Sequence, residues 1–476
     1  MTTRRDFLKA LSASAAGVAI SSFENSFAAP LTSKEWGSSK TDKVKIAYIG
    51  IGNRGEQNIE EFAKTNMVEV TALCDIDMGA SHTQKAMNMY PKAKRYTDFR
   101  EMFEKGAADF DAVCASVPDH MHFPIAMLAM ANGKHIYLEK PMCRTFLEGE
   151  LMMEMAKRHP EVVTQVGNQG HSEANYFQFK AWKEAGIIKD VTAISAHMNN
   201  ARRWHKFDEK MLQMPGGEKM PSKMDWDAWT GPCAYHGYSE KYHQGNWRCW
   251  YDYGMGALGD WGAHLIDTAH EFLNLGLPYE INMKYAKGHN NYFFPYSSTI
   301  LFRFAARDGM PPCDVTWYDG IDNQPPLPEG YGSSEYTPGV PATNQGDTPK
   351  TSLNPGKIIY SRDLTFKGGS HGSTLKIIPS ANSKDIESRL PEVPKSPSNH
   401  YENFLRACLG QEKTRSPFEI NGVLSQVFCL GVIAQRLNER LFFDPRTKQF
   451  TNNAFANSML AGMPPRKGWE DFYKMV

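Results

Sequence analysis

Asp260, His264 and Asp267 recur at i, i+4 and i+7. If that stretch is a helix, the three share one face. A carboxylate one turn from an imidazole can hold the ring in one orientation and raise its pKa. His264 then becomes a proton acceptor near neutral pH. Lys140 is the second candidate, in Glu139-Lys140-Pro141 after the apolar run His135-Ile136-Tyr137-Leu138. A lysine there can hydrogen-bond a substrate hydroxyl and stabilise charge growing on its oxygen. A base and a cation together suit removal of a proton from an alcohol. Each group also has an ordinary reading. Asp260 and His264 can be a plain polar pair on a helix, and Lys140 can pair with Glu139.

A third group of residues binds rather than reacts. Ile46, Ala47, Tyr48 and Ile49 form a short apolar run that reads as a buried strand. It leads into Gly50-Ile51-Gly52-Asn53-Arg54-Gly55, which fits G-x-G-x-x-G. The first glycine permits the tight turn, the second lets the backbone approach a pyrophosphate, and the third lets the next helix pack close. The free N–H groups of that helix point at the phosphates. A second apolar run over 68–74 ends in Asp75, where an acid meets ribose hydroxyls. Asp75 would repel a 2′-phosphate, so the site favours NAD. Arg54 leaves NADP possible.

The elements that must position these groups alternate. Strands are expected over 45–49, 69–74, 112–115, 135–138 and 162–166, with helices such as 98–105 and 123–132 between them. That pattern predicts a parallel, doubly wound sheet over 43–166, with its ligand beyond the carboxyl ends of the strands. Three loops lie there, holding Pro118 and His122, Glu139 and Lys140, and Asn168 and His171. His120 and His122 lack an evident third ligand, so no metal is expected. Past 167 the pattern changes to a mainly antiparallel sheet with a few helices, over 167–476. It includes a long Pro/Gly/Ser/Thr-rich surface loop at 324–356 and two closing helices over 399–409 and 421–438. The fold class is α/β throughout.

Composition narrows the function. The 476 residues carry no formal net charge, which gives no reason to expect a nucleic-acid partner. Aromatic residues make up 12% and cluster between Trp204 and Trp261, a candidate surface for stacking on sugars through Trp204, Trp247 and Trp250. Thr3-Arg4-Arg5-Asp6-Phe7-Leu8-Lys9 resembles a twin-arginine export signal, followed by an apolar stretch over 10–20 and Ser26-Phe27-Ala28 as a cleavage site. Residues 1–28 read as a signal peptide and 29–42 as a linker. The apolar stretch is too short for a permanent membrane anchor. A periplasmic location is expected, reached through the twin-arginine translocase with a dinucleotide already loaded. A disulfide among Cys233, Cys249 and Cys313 stays open.

The glycine turn, Glu139-Lys140-Pro141 and Gly259-Asp260-x-Gly262-x-His264-x-x-Asp267 occur in order and at suitable distances. Together they resemble the glucose-fructose oxidoreductase / inositol dehydrogenase / MocA family. Asn168-Gln169-Gly170-His171, Trp226-Asp227-x-Trp229-x-Gly231-Pro232 and Trp247-Arg248-x-Trp250 look like its exported bacterial branch. The resemblance implies a Rossmann domain, then an α/β domain with an open, mostly antiparallel sheet that often builds dimers or tetramers. It implies NAD(P)-dependent oxidation or reduction of a small carbohydrate or cyclitol. Lys140 matches the lysine at the reacting hydroxyl, His264 the acid/base, Asp260 its acidic partner and Asp267 an acid near substrate. Asn168, His171, Trp247 and Arg248 join the substrate side. Some relatives of this type instead cleave glycosidic bonds with a permanently held NAD. A non-catalytic sugar-binding protein is the remaining alternative.

Overall fold

A computed structural model describes residues 43–198, 208, 210–221, 223–243, 245–320, 322–332, 353–380, 383 and 386–476. The signal peptide and linker expected over 1–42, Trp204, and 333–352 of the long loop lie outside the described residues.

The first sheet has six parallel strands: β1 (Val44–Ile49), β2 (Val68–Cys74), β3 (Lys94–Tyr96), β4 (Ala112–Ala115), β5 (His135–Leu138) and β6 (Thr164–Val166). Their order is β3-β2-β1-β4-β5-β6. The order reverses between β1 and β4, and the crevice beyond those two strand ends is where such sheets take ligands. Helices α1 (Arg54–Lys64), α2 (Phe99–Gly106), α3 (His122–Ala131) and α4 (Phe146–Arg158) flank the sheet. Every residue of β4 and β5 is buried, as continuous apolar runs in a parallel sheet require. No apolar run marks β3 in the sequence. This strand is three residues of Lys-Arg-Tyr on the sheet edge, and polar edge strands carry no apolar signal.

A short helix α5 (Ala174–Glu184) leads to the second sheet. Its strands are β7 (Val191–Met198), β8 (Glu280–Lys287), β9 (Ser297–Phe304), β10 (Cys313–Asp319), β11 (Gly356–Ser361), β12 (Thr365–Gly369), β13 (Lys376–Ile377), β14 (Arg440–Asp444) and β15 (Gln449–Phe450). The order is β13-β12-β11-β7-β10-β9-β8-β14-β15, antiparallel except for the β7–β10 pair. Between β7 and β8 lie α6 (Gly256–Leu265) and α7 (Asp267–Phe272). The one helix that would put Asp260, His264 and Asp267 on a single face is therefore two. Ile266 breaks it at φ −105°, ψ −23°, and Asp267 opens the second helix instead of continuing the face of Asp260 and His264.

The chain then returns to the first sheet. Helix α8 (His400–Cys408) sets Tyr401 and Phe404 edge-on to Phe62 of α1, with ring centroids 5.0 and 6.0 Å apart. Near the C-terminus Phe472 packs on Phe99 and Tyr473 on Phe123. Helix α9 (Phe418–Leu437) is long and apolar enough to cross a membrane, but 78% of its apolar 18-residue stretch is buried inside the protein. The aromatics between 226 and 253 form their own core. Trp226 stacks on Trp229 at 4.3 Å, and Tyr242, Trp250 and Tyr253 close round them, fully buried. This removes Trp250 from the expected sugar-stacking set, because a fully buried indole has no free face. All eight cysteines are free thiols.

Buried imidazoles make this fold acid-sensitive. Burial pulls His120 and His400 down to about 3 and His135, His197 and His270 to about 4. The unfolded chain protonates these rings near 6.5, so folding keeps them neutral. The stability they add is complete above pH ~6.5 and drains away as pH falls toward ~3. Calorimetric Tm should therefore drop steeply between pH 7 and 5, with more than one proton taken up per chain on unfolding. A flat Tm over that range contradicts the account.

Candidate active site

The glycine turn is built for close approach. Gly50 sits at φ +76°, and a Cβ there would lie 2.3 Å from the Ser116 carbonyl oxygen beyond β4. A Cβ on Gly55 would lie 1.9 Å from the Gly50 carbonyl oxygen. Side chains are excluded at both points, so α1 starts close against the turn. Asn53 precedes it at φ +48° and makes no side-chain cap, so no capping side chain stands between the first turn and an anion, although Gly55 N–H donates to the Gly52 carbonyl at 2.9 Å. Asp75 stands beside the turn. One carboxylate oxygen accepts from Ile51 N–H and the other from Asp77 N–H, both at 3.1 Å. His82 lies 3.9 Å from Asp75, and that carboxylate raises its pKa. This cradle fits a dinucleotide with its ribose at Asp75.

Arg54 is committed elsewhere. Its Nε donates to Glu139 at 2.8 Å and its Nη2 to the Tyr401 hydroxyl at 3.2 Å. The guanidinium thus braces the turn against the end of β5, with one N–H each spent on Glu139, Gln57 and Tyr401. Glu139 is equally occupied. Burial opposes its charge, but Arg54 and Asn58 hold the carboxyl below its ordinary range. His122, expected at the cofactor, is fully buried. Its Nδ1 is 2.6 Å from the Pro141 carbonyl and its Nε2 3.0 Å from that of Val117. It ties the loop carrying Pro118 to the loop carrying Lys140 and has no ring nitrogen left for a cofactor. Pro118 itself is half-buried, two residues past Ser116 in the crevice.

Lys140 reaches across to the second half of the protein. Its Nζ donates to the Asp260 carboxylate at 2.7 Å and to the Asp260 carbonyl at 2.8 Å. Arg248 adds a second cation, with Nη1 3.0 Å from Asp119 and Nε 3.6 Å from Asp260. Its guanidinium lies 4.2 Å from the centre of the Trp247 ring. Asp260 is therefore the counter-ion of Lys140. The expected hydrogen bond from Asp260 to His264 does not form among the described residues, and the predicted rise in the His264 pKa is reversed. Burial first, then His371 and Lys140, drive His264 well below its ordinary value. Its Nδ1 is buried without a hydrogen-bond partner among the described residues. The His371 ring stacks on it at 3.9 Å and 17°. Burial also lowers Lys140, although Asp260 resists.

Asp267, His171 and Asn168 gather one layer further out. His171 Nε2 lies 3.4 Å from Asp267 and its Nδ1 3.2 Å from Glu271. Burial works against a charged ring there, but the two carboxylates raise its pKa. Burial raises Asp267 in turn. Asn168 donates its amide to Asn421 on α9. Lys140, Asp260, His264, Arg248 and Asp267 thus do converge, from three separate pieces of chain.

Three residues near the site have no place in the sequence reading. His371 comes from the turn between β12 and β13, with no local signal. His82 precedes α2 by seventeen positions and follows no motif. Lys357 was legible in principle. It shares the alternation face of β11 with Ile359, so one face of an apolar strand carries a lysine.

Because Asp75 holds both the turn and the ribose position, Asp75→Ser should cut NAD affinity about tenfold or more and narrow the preference over NADP. Titration of the protein's fluorescence with each dinucleotide checks it, and an unchanged NAD affinity would remove Asp75 from the site.

Comparison with known proteins agrees with this architecture. Residues 44–168 match the oxidoreductase family with an NAD-binding Rossmann fold, and residues 190–306 match that family's C-terminal alpha/beta domain. A glycosyl hydrolase family 109 protein of Shewanella baltica is 32% identical over 173 residues, 33% of this chain and 37% of the relative. An alpha-N-acetylgalactosaminidase of Shewanella oneidensis is 30% identical over 173 residues, with the same coverage. The chain thus matches little more than a third of the length of these relatives. The WlbA dehydrogenase of Bordetella pertussis, solved in complex with NADH and UDP-GlcNAcA, shares the fold at a TM-score of 0.56 and 14% identity. The match covers 84% of this chain and 99% of that one. The two family matches span just over half of the 476 residues, and the chain belongs to the Gfo/Idh/MocA oxidoreductase family, an NAD-binding Rossmann domain joined to the family's C-terminal α/β domain.

Proposed function

We propose that this protein oxidises a secondary hydroxyl of a sugar or cyclitol, with Lys140 and His264 acting on that hydroxyl. The observation that supports it is the reach of Lys140 from the end of β5 to the turn of α6 that carries His264. An ammonium has three N–H donors, and Asp260 accepts two of them. The third is left for the substrate oxygen, where it stabilises growing negative charge. His264, held neutral by burial, takes the hydroxyl proton. NAD, when bound, supplies the hydride acceptor. Asp260 serves the reaction by fixing and neutralising Lys140, and Arg248 holds Asp260 in turn.

The names of the curated relatives favour a second reading in which that oxidation is transient. An oxidised ring carbon acidifies the neighbouring C–H. A neutral imidazole then removes that proton, the glycosidic oxygen leaves with a proton, water adds across the resulting double bond, and the held cofactor would return the hydride to restore the hydroxyl. A cofactor held through the cycle needs no recycling, which suits the export expected from the twin-arginine motif. We place the mature chain in the periplasm on that argument.

Two assays on the purified protein separate these readings. Release of p-nitrophenol from p-nitrophenyl α-N-acetylgalactosaminide without added NAD supports the second. Net nicotinamide reduction by free sugars or myo-inositol supports the first. On whichever substrate turns over, Lys140→Ala should lower kcat at least about a hundredfold with NAD still bound; unchanged turnover refutes the role. The acid limb of kcat/KM should lie well below pH 6.5, because His264 loses its basic form only at its lowered pKa. A limb at or above pH 6.5 contradicts His264 as the base.

A further inference from the structure

Gly52 is the glycine whose bare α-carbon lets a diphosphate come close, and an imidazole stands over it. A Cβ built on Gly52 would lie 2.2 Å from Cδ2 of His82, 2.9 Å from its Cγ and 3.2 Å from its Cβ. This side of the turn is open to solvent. Asn53 is exposed, Gly52 is half-buried, and the His82 side chain is 24% exposed. His82 sits in the short helical turn Ser81–Thr83, after β2. Thr83 fixes that turn, sharing its hydroxyl between the carbonyls of Ala80 at 2.8 Å and Met78 at 3.2 Å. Lys85, two residues on, pairs with Glu56 and Glu60 of α1, so the segment is tied to the helix whose N-terminus forms the cradle. Among the described residues neither ring nitrogen of His82 makes a hydrogen bond and no aromatic ring stacks on it. Its Nε2 lies 3.9 Å from Asp75, an ion-pair distance. A ring kept only for packing would be buried against apolar neighbours; this one faces the ligand side with its N–H groups uncommitted.

We propose that His82, as an imidazolium, is a residue of the dinucleotide site and binds the diphosphate that Gly52 admits. Arg54, the cation of the turn itself, is directed to Glu139, Gln57 and Tyr401. The N-terminus of α1 offers an anion only partial charges, and a protonated ring beside it adds a full charge and an N–H donor. Asp75 raises the His82 pKa against the pull of burial, so the carboxylate that marks the ribose position also helps the ring hold its proton. The other charged groups around the ring are Asp77 from the same loop and His243 from the second half of the chain. Lys223 reaches the loop as well. A Cβ on Gly79 would lie 3.7 Å from its Nζ and 3.6 Å from the Asp77 carboxylate. Burial first, then His82, lowers His243, so of the two rings His82 keeps its proton to higher pH. The sign of the pH effect follows. Below its pKa the ring is charged and attracts the diphosphate. As pH rises through that pKa the charge is lost and affinity falls, until the pKa of the complex is passed as well. The inference concerns NAD binding alone and holds whether or not Lys140 and His264 oxidise a sugar.

The test is equilibrium binding to the full chain, freed of any nucleotide it carries, as a function of pH. NADH is followed by its fluorescence, and ADP-ribose and adenosine by calorimetry. ADP-ribose carries the diphosphate and adenosine does not. In wild type, NADH and ADP-ribose should bind about fivefold or more tightly at about pH 6 than at about pH 9, while adenosine binds equally at both. His82→Gln should weaken NADH and ADP-ribose about fivefold or more at the lower pH, flatten their pH dependence and leave adenosine unchanged. His82→Lys should keep the tighter binding at both pH values, because an ammonium stays charged throughout. His243→Gln should retain the wild-type slope. A flat wild-type profile, a slope that survives in His82→Gln, or adenosine changing in step with ADP-ribose overturns the proposal. The last of these would place the ring at the nucleoside instead. Should His82→Gln fail to fold, the wild-type comparison of ADP-ribose with adenosine and the profile of His82→Lys decide the matter.

Discussion

The Lys140–Asp260 contact is the constraint on which the site depends. It joins the end of a strand in one sheet to a helix that lies against the other, across 120 residues of chain. Both partners are nearly buried, and Nζ is bonded to the backbone carbonyl as well as the carboxylate. Two bonds from one turn of helix fix the ammonium in direction as well as distance. Removing either partner alone would leave an uncompensated buried charge, which is far costlier than losing an exposed pair. The surroundings follow from this. Arg248 approaches the same carboxylate, and Asp119 holds Arg248 while accepting from Met255 N–H at the start of α6.

Burial, rather than pairing, sets the protonation of the groups that would move protons. His264 lies among Lys140, Arg54 and a stacked His371, so a positive ring there has cations around it and little water. Its neutral form is the resting form. His171, no less buried, is pushed the other way because Asp267 and Glu271 flank it. Two buried histidines of this region thus take opposite tendencies from their neighbours.

The support behind the cofactor rim is similarly economical in residues. Arg54, Glu139, Asn58 and Tyr401 form one hydrogen-bonded group linking the glycine turn, the end of β5 and helix α8. His122 does the same for the loops after β4 and β5. Sequence motifs name these residues because they are close to the ligand, yet their polar atoms are turned toward each other. Adjacency along a motif says which residues neighbour the cofactor and leaves open which of them face it.

Local rules were sufficient for much of this protein. Apolar runs ending in glycines or in Glu139-Lys140 predict parallel strands and their functional ends, because strand burial and tight turns depend on residues within a few positions. They also bring forward Lys140, Asp260 and His264. What they misassign is the partnership. Asp260 is four residues from His264, but the helix geometry that makes them neighbours does not oblige them to bond, and a lysine from 120 positions away is the stronger partner. The break at Ile266, the edge strand β3, the inward-facing Lys357 and the stack of His371 on His264 all come from contacts between distant segments. The chain's own order therefore determines the elements and the list of reactive groups. Only tertiary packing decides which charges meet, and burial then decides which of them keep their protons.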